Sequence, residues 1–127
     1  MVYAASAIIL KNKKILLVKR SDYTKTFPKT WACPGGRGYE GETPEQTVVR
    51  ELKEEVNIDF KPKRLFKVGK YEDRDLFRFL GEWSGKIKIQ KEEITEYDWF
   101  SYEKATNLNL GFDYKEIIYM LNKEHLI

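Results

Sequence analysis

Residues 36–58, GRGYEGETPEQTVVRELKEEVNI, constrain this chain more than any other stretch. A glycine-rich turn runs into a helix whose start is written in the residues. Thr43 suits the N-cap, Pro44 the first helical position, and Gln46 completes a T-x-x-Q capping box. Val48, Val49, Leu52 and Val56 supply an apolar stripe, and Asn57 suits a left-handed C-terminal cap. The pattern predicts a helix over residues 44–56. On it Glu51, Glu54 and Glu55 stand at i, i+3 and i+4, on one face, mainly off the apolar stripe and beside Arg50. Carboxylates this close repel one another, so the spacing calls for something positive against it. A hard divalent cation with oxygen ligands meets that need. Magnesium held by carboxylates keeps open positions for water and phosphate oxygens. Ahead of the helix, Pro34-Gly35-Gly36 and Gly38 mark a loop where backbone can approach a ligand closely.

The segment resembles the Nudix box, G-x5-E-x7-R-E-U-x-E-E-x-G-U, where U is a bulky apolar residue. Gly36, Glu42, Arg50, Glu51, Leu52, Glu54, Glu55 and Ile58 fall on its defined positions. Asn57 stands where the family has Gly, and its tolerance of the left-handed conformation keeps the turn. The flanks are similar to the MutT-type branch: a strand ending in Lys19-Arg20, a Trp31-Ala32-Cys33-Pro34-Gly35-Gly36 lead-in, and a later Asp98-Trp99-Phe100.

The length of 127 residues suits one domain, residues 1–127, with a real core. A net charge of +3 is too small to call for nucleic acid. It is compatible with a modest local field that attracts polyphosphate. Cys33 is the single cysteine, so no intramolecular disulfide forms, which fits a reducing cytoplasm. The apolar run 4–10 is too short to span a membrane and lacks a signal-peptide arrangement. The expectation is a cytoplasmic protein with no membrane partner.

Elsewhere the patterning predicts strands over 2–10 and 15–19 around a Lys11-Asn12-Lys13-Lys14 turn, and a polar loop over 21–30. A hairpin is expected from 63–71 and 75–83, joined at Glu72-Asp73-Arg74. The β region continues over 86–90, a short strand covers 97–100, a helical turn 101–105, and a terminal helix 112–123. Mixed strands with two main helices indicate an α/β or α+β fold. The resemblance sharpens this to the Nudix fold, a mixed β-sheet sandwiched between α-helices.

Site roles follow from the resemblance. It implies that Glu51, Glu54 and Glu55, with the carbonyl of Gly35, hold Mg2+, for which Mn2+ can substitute. It gives Arg50 the task of orienting the carboxylates by a charge-assisted fork. Glu42 is read as either structural or a peripheral ligand. For the general base Asp98 and Glu96 stand as alternatives, with Glu93 nearby. Arg20 is expected on the substrate phosphates and Gly36 beside the substrate. Tyr23, Phe27, Trp31 and Phe79 offer faces for a nucleobase. The segment Asn107 to Asp113 is a further candidate, in which Asn107, Asn109 and Asp113 offer groups to read its edge.

The resemblance implies hydrolysis of a nucleoside diphosphate linked to a group X. The leading expectation is a nucleoside triphosphate, oxidised purine nucleotides included, cleaved to the monophosphate and pyrophosphate. Alternatives are ADP-ribose or another nucleotide sugar, a dinucleoside polyphosphate, and an RNA 5′ end. A Nudix-fold module that senses a nucleotide without turnover is the alternative of another class, although such modules typically lose box glutamates and this chain keeps them. Many relatives dimerise, so a homodimer stays open.

Overall fold

The computed structural model describes residues 2–22, 24 and 26–127. The chain forms two compact units, residues 1–9 with 34–90 and residues 10–33 with 91–127.

The first unit is a four-stranded mixed sheet with one helix. Strands β1 (Tyr3–Ile8), β5 (Gly35–Arg37), β6 (Asp59–Tyr71) and β7 (Arg74–Ser84) lie in the order β5-β1-β7-β6. β1 runs parallel to β7 and antiparallel to β5, while β6 and β7 form an antiparallel hairpin turning at Glu72 and Asp73. Helix α1 (Pro44–Val56) starts where the sequence places it. Thr43 accepts from the Gln46 N–H and the Gln46 side chain accepts from the Thr43 N–H. Asn57 closes it in the left-handed region at φ 63°. Val48, Leu52 and Val56 are buried beneath the helix with Ile58 and Phe60 following. Val49 departs from the expected stripe: it lies at the edge and is 41% exposed.

Residues 86–90 are not a strand. The Lys88 N–H donates to the Val56 carbonyl and the Gln90 N–H to the Glu55 carbonyl, at 3.0 and 2.9 Å. The Asn57 side chain donates to the Lys86 carbonyl at 3.2 Å. The segment therefore satisfies the orphan carbonyls that end a helix, and no sheet claims its donors. This also gives Asn57 a bond that glycine could not make.

The second unit holds β2 (Leu10–Lys11), β3 (Lys14–Arg20), β4 (Trp31–Ala32) and β8 (Ile94–Phe100), all paired antiparallel to β3. Asn12 and Lys13 both take positive φ, 52° and 62°, which matches a two-residue turn twisting with its strands. Ile15, Leu16, Leu17 and Val18 are all buried, so both faces of β3 are covered. Helices α2 (Tyr102–Ala105) and α3 (Tyr114–Lys123) complete the unit. α3 starts at Tyr114, two residues later than expected, because Phe112 sits at φ 49° and cannot belong to a helix. β8 starts earlier than expected, at Ile94. Among the described residues no helix is long and apolar enough to cross a membrane.

The capping box predicts its own test. Thr43→Ala removes the side-chain acceptor at the helix start and should lower stability by about 1 kcal/mol, read as a reduced denaturant midpoint at unchanged slope.

Candidate active site

Arg50 organises the first unit's cluster. Its Nε donates to Glu42 Oε2 at 2.7 Å and its Nη2 to Glu42 Oε1 at 3.0 Å, a bidentate fork. Nη1 donates to Glu51 Oε1 at 2.9 Å and to Glu54 Oε2 at 3.0 Å. Nη2 also donates to the Arg37 carbonyl at 2.9 Å. A guanidinium has five N–H donors, and these bonds use all of them. The positive charge that the glutamate spacing demands is thus supplied within the chain.

Glu42 is held on several sides. Its Oε1 accepts from the Tyr39 N–H at 2.8 Å and from the Thr47 hydroxyl at 3.0 Å. The Arg50 fork, followed by the Tyr39 N–H, lowers the Glu42 pKa from 4.5 to about 2. Reciprocally, the hydrogen bond to Glu42 raises Arg50 further above its already high range.

Glu55 differs from the other carboxylates. Seven residues after Val48, it returns to within about 20° of it on the helix surface, and it is 8% exposed. It lies inside the buried face, where the sequence reading set the acids mainly off the stripe. Its Oε1 accepts from the Gly35 N–H at 3.2 Å. That contact depends on strand β5 passing close to β1. A Cβ on Gly35 would stand 2.3 Å from the Ala5 carbonyl oxygen. A Cβ on Gly36 would stand 2.6 Å from a Glu51 carboxylate oxygen. Both glycines are therefore requirements of the packing. At Gly36 the side a Cβ would occupy is filled by the Glu51 carboxylate.

As arranged, Glu51 and Glu54 turn toward Arg50 and Glu55 toward Gly35. Among the described residues no three acidic, histidine or cysteine side chains converge into a ready cation cage. The donor set still fits a hard divalent cation: three carboxylates within one helical turn, with Glu54 53% exposed at its side chain. Three carboxylates, Glu42, Glu51 and Glu54, bond one guanidinium, which leaves a surplus of negative charge for a cation to meet.

The remaining expected residues belong largely to the second unit. Arg20 Nε donates to the Thr26 carbonyl at 3.0 Å, and its guanidinium carbon lies 5.2 Å from the Phe112 ring centre. Phe27 packs on Phe112 with centroids 4.6 Å apart. Trp31 meets Phe100 edge to face, and its N–H donates to the Asn109 carbonyl. Asp113 is half-buried at the N-cap of α3 with no side-chain cap bond, beside Phe112 in an open cavity of about 530 Å³ that Tyr102 and Tyr119 also line. Asp98 and Glu96 are exposed on β8, opposite Leu17 and Lys19. Asp98 accepts from the neighbouring Trp99 N–H at 2.7 Å. Tyr23 lies outside the described residues. Phe79 is a correction. It is 4% exposed in the first unit's core, with no open face for a base.

Two ring contacts are not legible in the sequence. Tyr39 stacks on Arg50 with 3.6 Å from the guanidinium carbon to the ring centre. Phe112 joins Arg20 to Phe27. Neither has a spacing signal, because both contacts are made by rings on irregular backbone.

A family model described as NUDIX domain matches residues 2–121. The chain is 35% identical over 122 residues to an ADP-ribose pyrophosphatase of Methanocaldococcus jannaschii, covering 91% of this chain and 69% of that one. It is 29% identical over 119 residues to an 8-oxo-dGTP diphosphatase of Buchnera aphidicola, covering 91% and 89%. A NAD-capped RNA hydrolase NudC of Mannheimia succiniciproducens is 32% identical over 101 residues, covering 76% of this chain and 38% of that one. In fold, the solution structure of the E. coli ORF135 protein matches with a TM-score of 0.84 at 22% identity, covering 98% and 91%.

The Glu42 fork has a pH signature. Its folded pKa lies below the ordinary value, so its contribution to stability is complete above pH 4.5 and is lost as pH falls toward 2. Denaturant titrations across that window should show Glu42→Gln to be less stable than the parent at its upper end. The difference should shrink as the pH approaches 2.

Proposed function

The chain belongs to the NUDIX domain family, and on that premise we propose that it hydrolyses nucleoside triphosphates, releasing a nucleoside monophosphate and pyrophosphate. As a member of that family it is a hydrolase, acting on nucleoside diphosphates linked to a further group. The observation that carries the reading is the box helix, with Glu51 and Glu54 held by Arg50 and Glu55 bonded to the Gly35 N–H.

Glu51, Glu54, Glu55 and the Gly35 carbonyl are the groups that would hold Mg2+, with Mn2+ able to substitute. When bound, such an ion neutralises phosphate oxygens and lowers the pKa of a coordinated water. The chain's residues do the rest. Arg50 holds Glu51 and Glu54 in place before substrate arrives, so less ordering remains to be done at binding. Arg20 supplies a cation for phosphate oxygens. Phe27 and Phe112 supply ring faces for a base, and Asp113 or Asn109 supplies a polar edge. Water attacks a phosphorus, the P–O bond of the anhydride breaks, and pyrophosphate leaves. Asp98 or Glu96 takes the water's proton.

Two observations bear on the substrate. The 8-oxo-dGTP diphosphatase relative aligns over most of both chains, which supports a triphosphate. The relative with the higher identity is an ADP-ribose pyrophosphatase, which favours ADP-ribose as the second reading. Against that reading, ADP-ribose enzymes of this type tend to carry a proline about fifteen residues past the box. Here Tyr71, Glu72, Asp73 and Arg74 fill the region and make the tight β6–β7 turn.

The deciding assay is product analysis with Mg2+ on dNTPs, 8-oxo-dGTP, ADP-ribose, dinucleoside polyphosphates and 5′-triphosphorylated RNA. Pyrophosphate from a triphosphate, reduced about 100-fold or more by Glu54→Gln, is the expected result. AMP and ribose phosphate from ADP-ribose alone would establish the second reading. Tight nucleotide binding with no turnover would replace both with a sensor.

A further inference from the structure

Arg50 has no in-plane donor left, and the only surfaces of its guanidinium still open to a partner are its two faces. Tyr39 covers one of them at 3.6 Å, well inside the range over which a cation and an aromatic face attract. The same residue's N–H donates to Glu42 Oε1, and the Glu42 N–H donates to the Tyr39 carbonyl at 3.1 Å. Tyr39 therefore holds both members of the fork, Glu42 through its backbone and Arg50 through its ring. Nevertheless it is 58% exposed and packs in no core. A large aromatic side chain left that open on a surface loop is not explained by burial.

The consequence concerns what a cation must displace. Arg50 grips Glu51 and Glu54 through one nitrogen, Nη1, and is anchored through the others to Glu42 and the Arg37 carbonyl. A cation that takes Glu51 and Glu54 competes with Nη1 alone. The anchored side keeps the guanidinium from following the carboxylates or swinging away.

We propose that Tyr39 is a positioning residue: its ring clamps the Arg50 guanidinium, so that Glu51 and Glu54 are already placed through Nη1 before a divalent cation takes them. This rests on the reading of Glu51 and Glu54 as cation ligands. Substituting the ring by a side chain of similar bulk but no aromatic face should release Arg50, raise the dissociation constant for the cation by about fivefold, and lower kcat more than it raises KM.

Two readouts separate the inference from the reading beneath it. In metal-free protein, the side-chain NMR signals of Arg50 report the clamp directly. They should be protected from solvent exchange in the parent and in Tyr39→Phe, and exchange faster in Tyr39→Leu and Tyr39→Ala. Mn2+ affinity, followed by electron paramagnetic resonance without substrate, should fall in the Leu and Ala variants and be rescued by Phe. Tyr39 is exposed, so unfolding is not the expected cause of either effect, and circular dichroism of each variant checks it. Arg50 signals indifferent to Tyr39→Leu would overturn the clamp whatever the enzyme's activity. Signals that change while Mn2+ affinity and kcat do not would reduce Tyr39 to a structural prop and overturn its positioning role. Equal losses in Phe and Leu would assign the effect to the hydroxyl and overturn the ring argument. A parent protein that binds no Mn2+ and turns over no nucleotide would instead sink the reading of the site as a hydrolase centre, and the positioning role with it.

Discussion

One guanidinium ties the first unit's loop, strand and helix together. Arg50 reaches the Arg37 carbonyl at the end of β5, Glu42 in the following loop, and Glu51 and Glu54 on its own helix. Isolated surface ion pairs contribute little to stability. This arrangement differs because the Glu42 pair is a bidentate fork, because every donor is used, and because the group is only about one-fifth exposed at Arg50. The network continues inward. Thr47 lies between Glu42 and the Tyr3 hydroxyl, and Tyr3 donates to the Glu42 carbonyl at 2.7 Å from strand β1. The carboxylates are thus referenced to the sheet as well as to their helix.

The same cluster contains a deliberate imbalance. One cation faces three carboxylates, and Glu55 is set into the apolar face, where it accepts from a backbone N–H. An ionised group in such a place costs free energy unless its oxygens are bonded. The Gly35 N–H provides that bond because β5 can approach β1 only without a side chain at residue 35. Two glycines that look like flexible loop residues are here the condition for close packing of charged groups.

What was legible in the sequence was local. The capping box, the proline start and the left-handed Asn57 end depend on residues a few positions apart, and each is found as read. The Lys11–Lys14 turn and the β6–β7 hairpin are equally local. Ile87 and Ile89 show why residues 86–90 were misread. Alternating apolar residues mark any extended segment, and the pattern does not say whether a strand or a helix end receives its hydrogen bonds. Phe79 was misjudged for a related reason, since an aromatic residue looks the same in sequence whether it is packed in a core or open to a base.

The sequence by itself determined the helix, its ends and the set of acids it carries, because helical periodicity turns spacing directly into a shared face. It also determined the family, through residues that keep that spacing. Only the tertiary structure decided where each carboxylate points. Glu51 and Glu54 turn to Arg50, Glu55 turns to Gly35, and Tyr39 closes over the guanidinium. Those choices join residues from β5, the loop and α1, and a hydrogen bond or ring contact between distant segments exists only once the chain has brought them within reach.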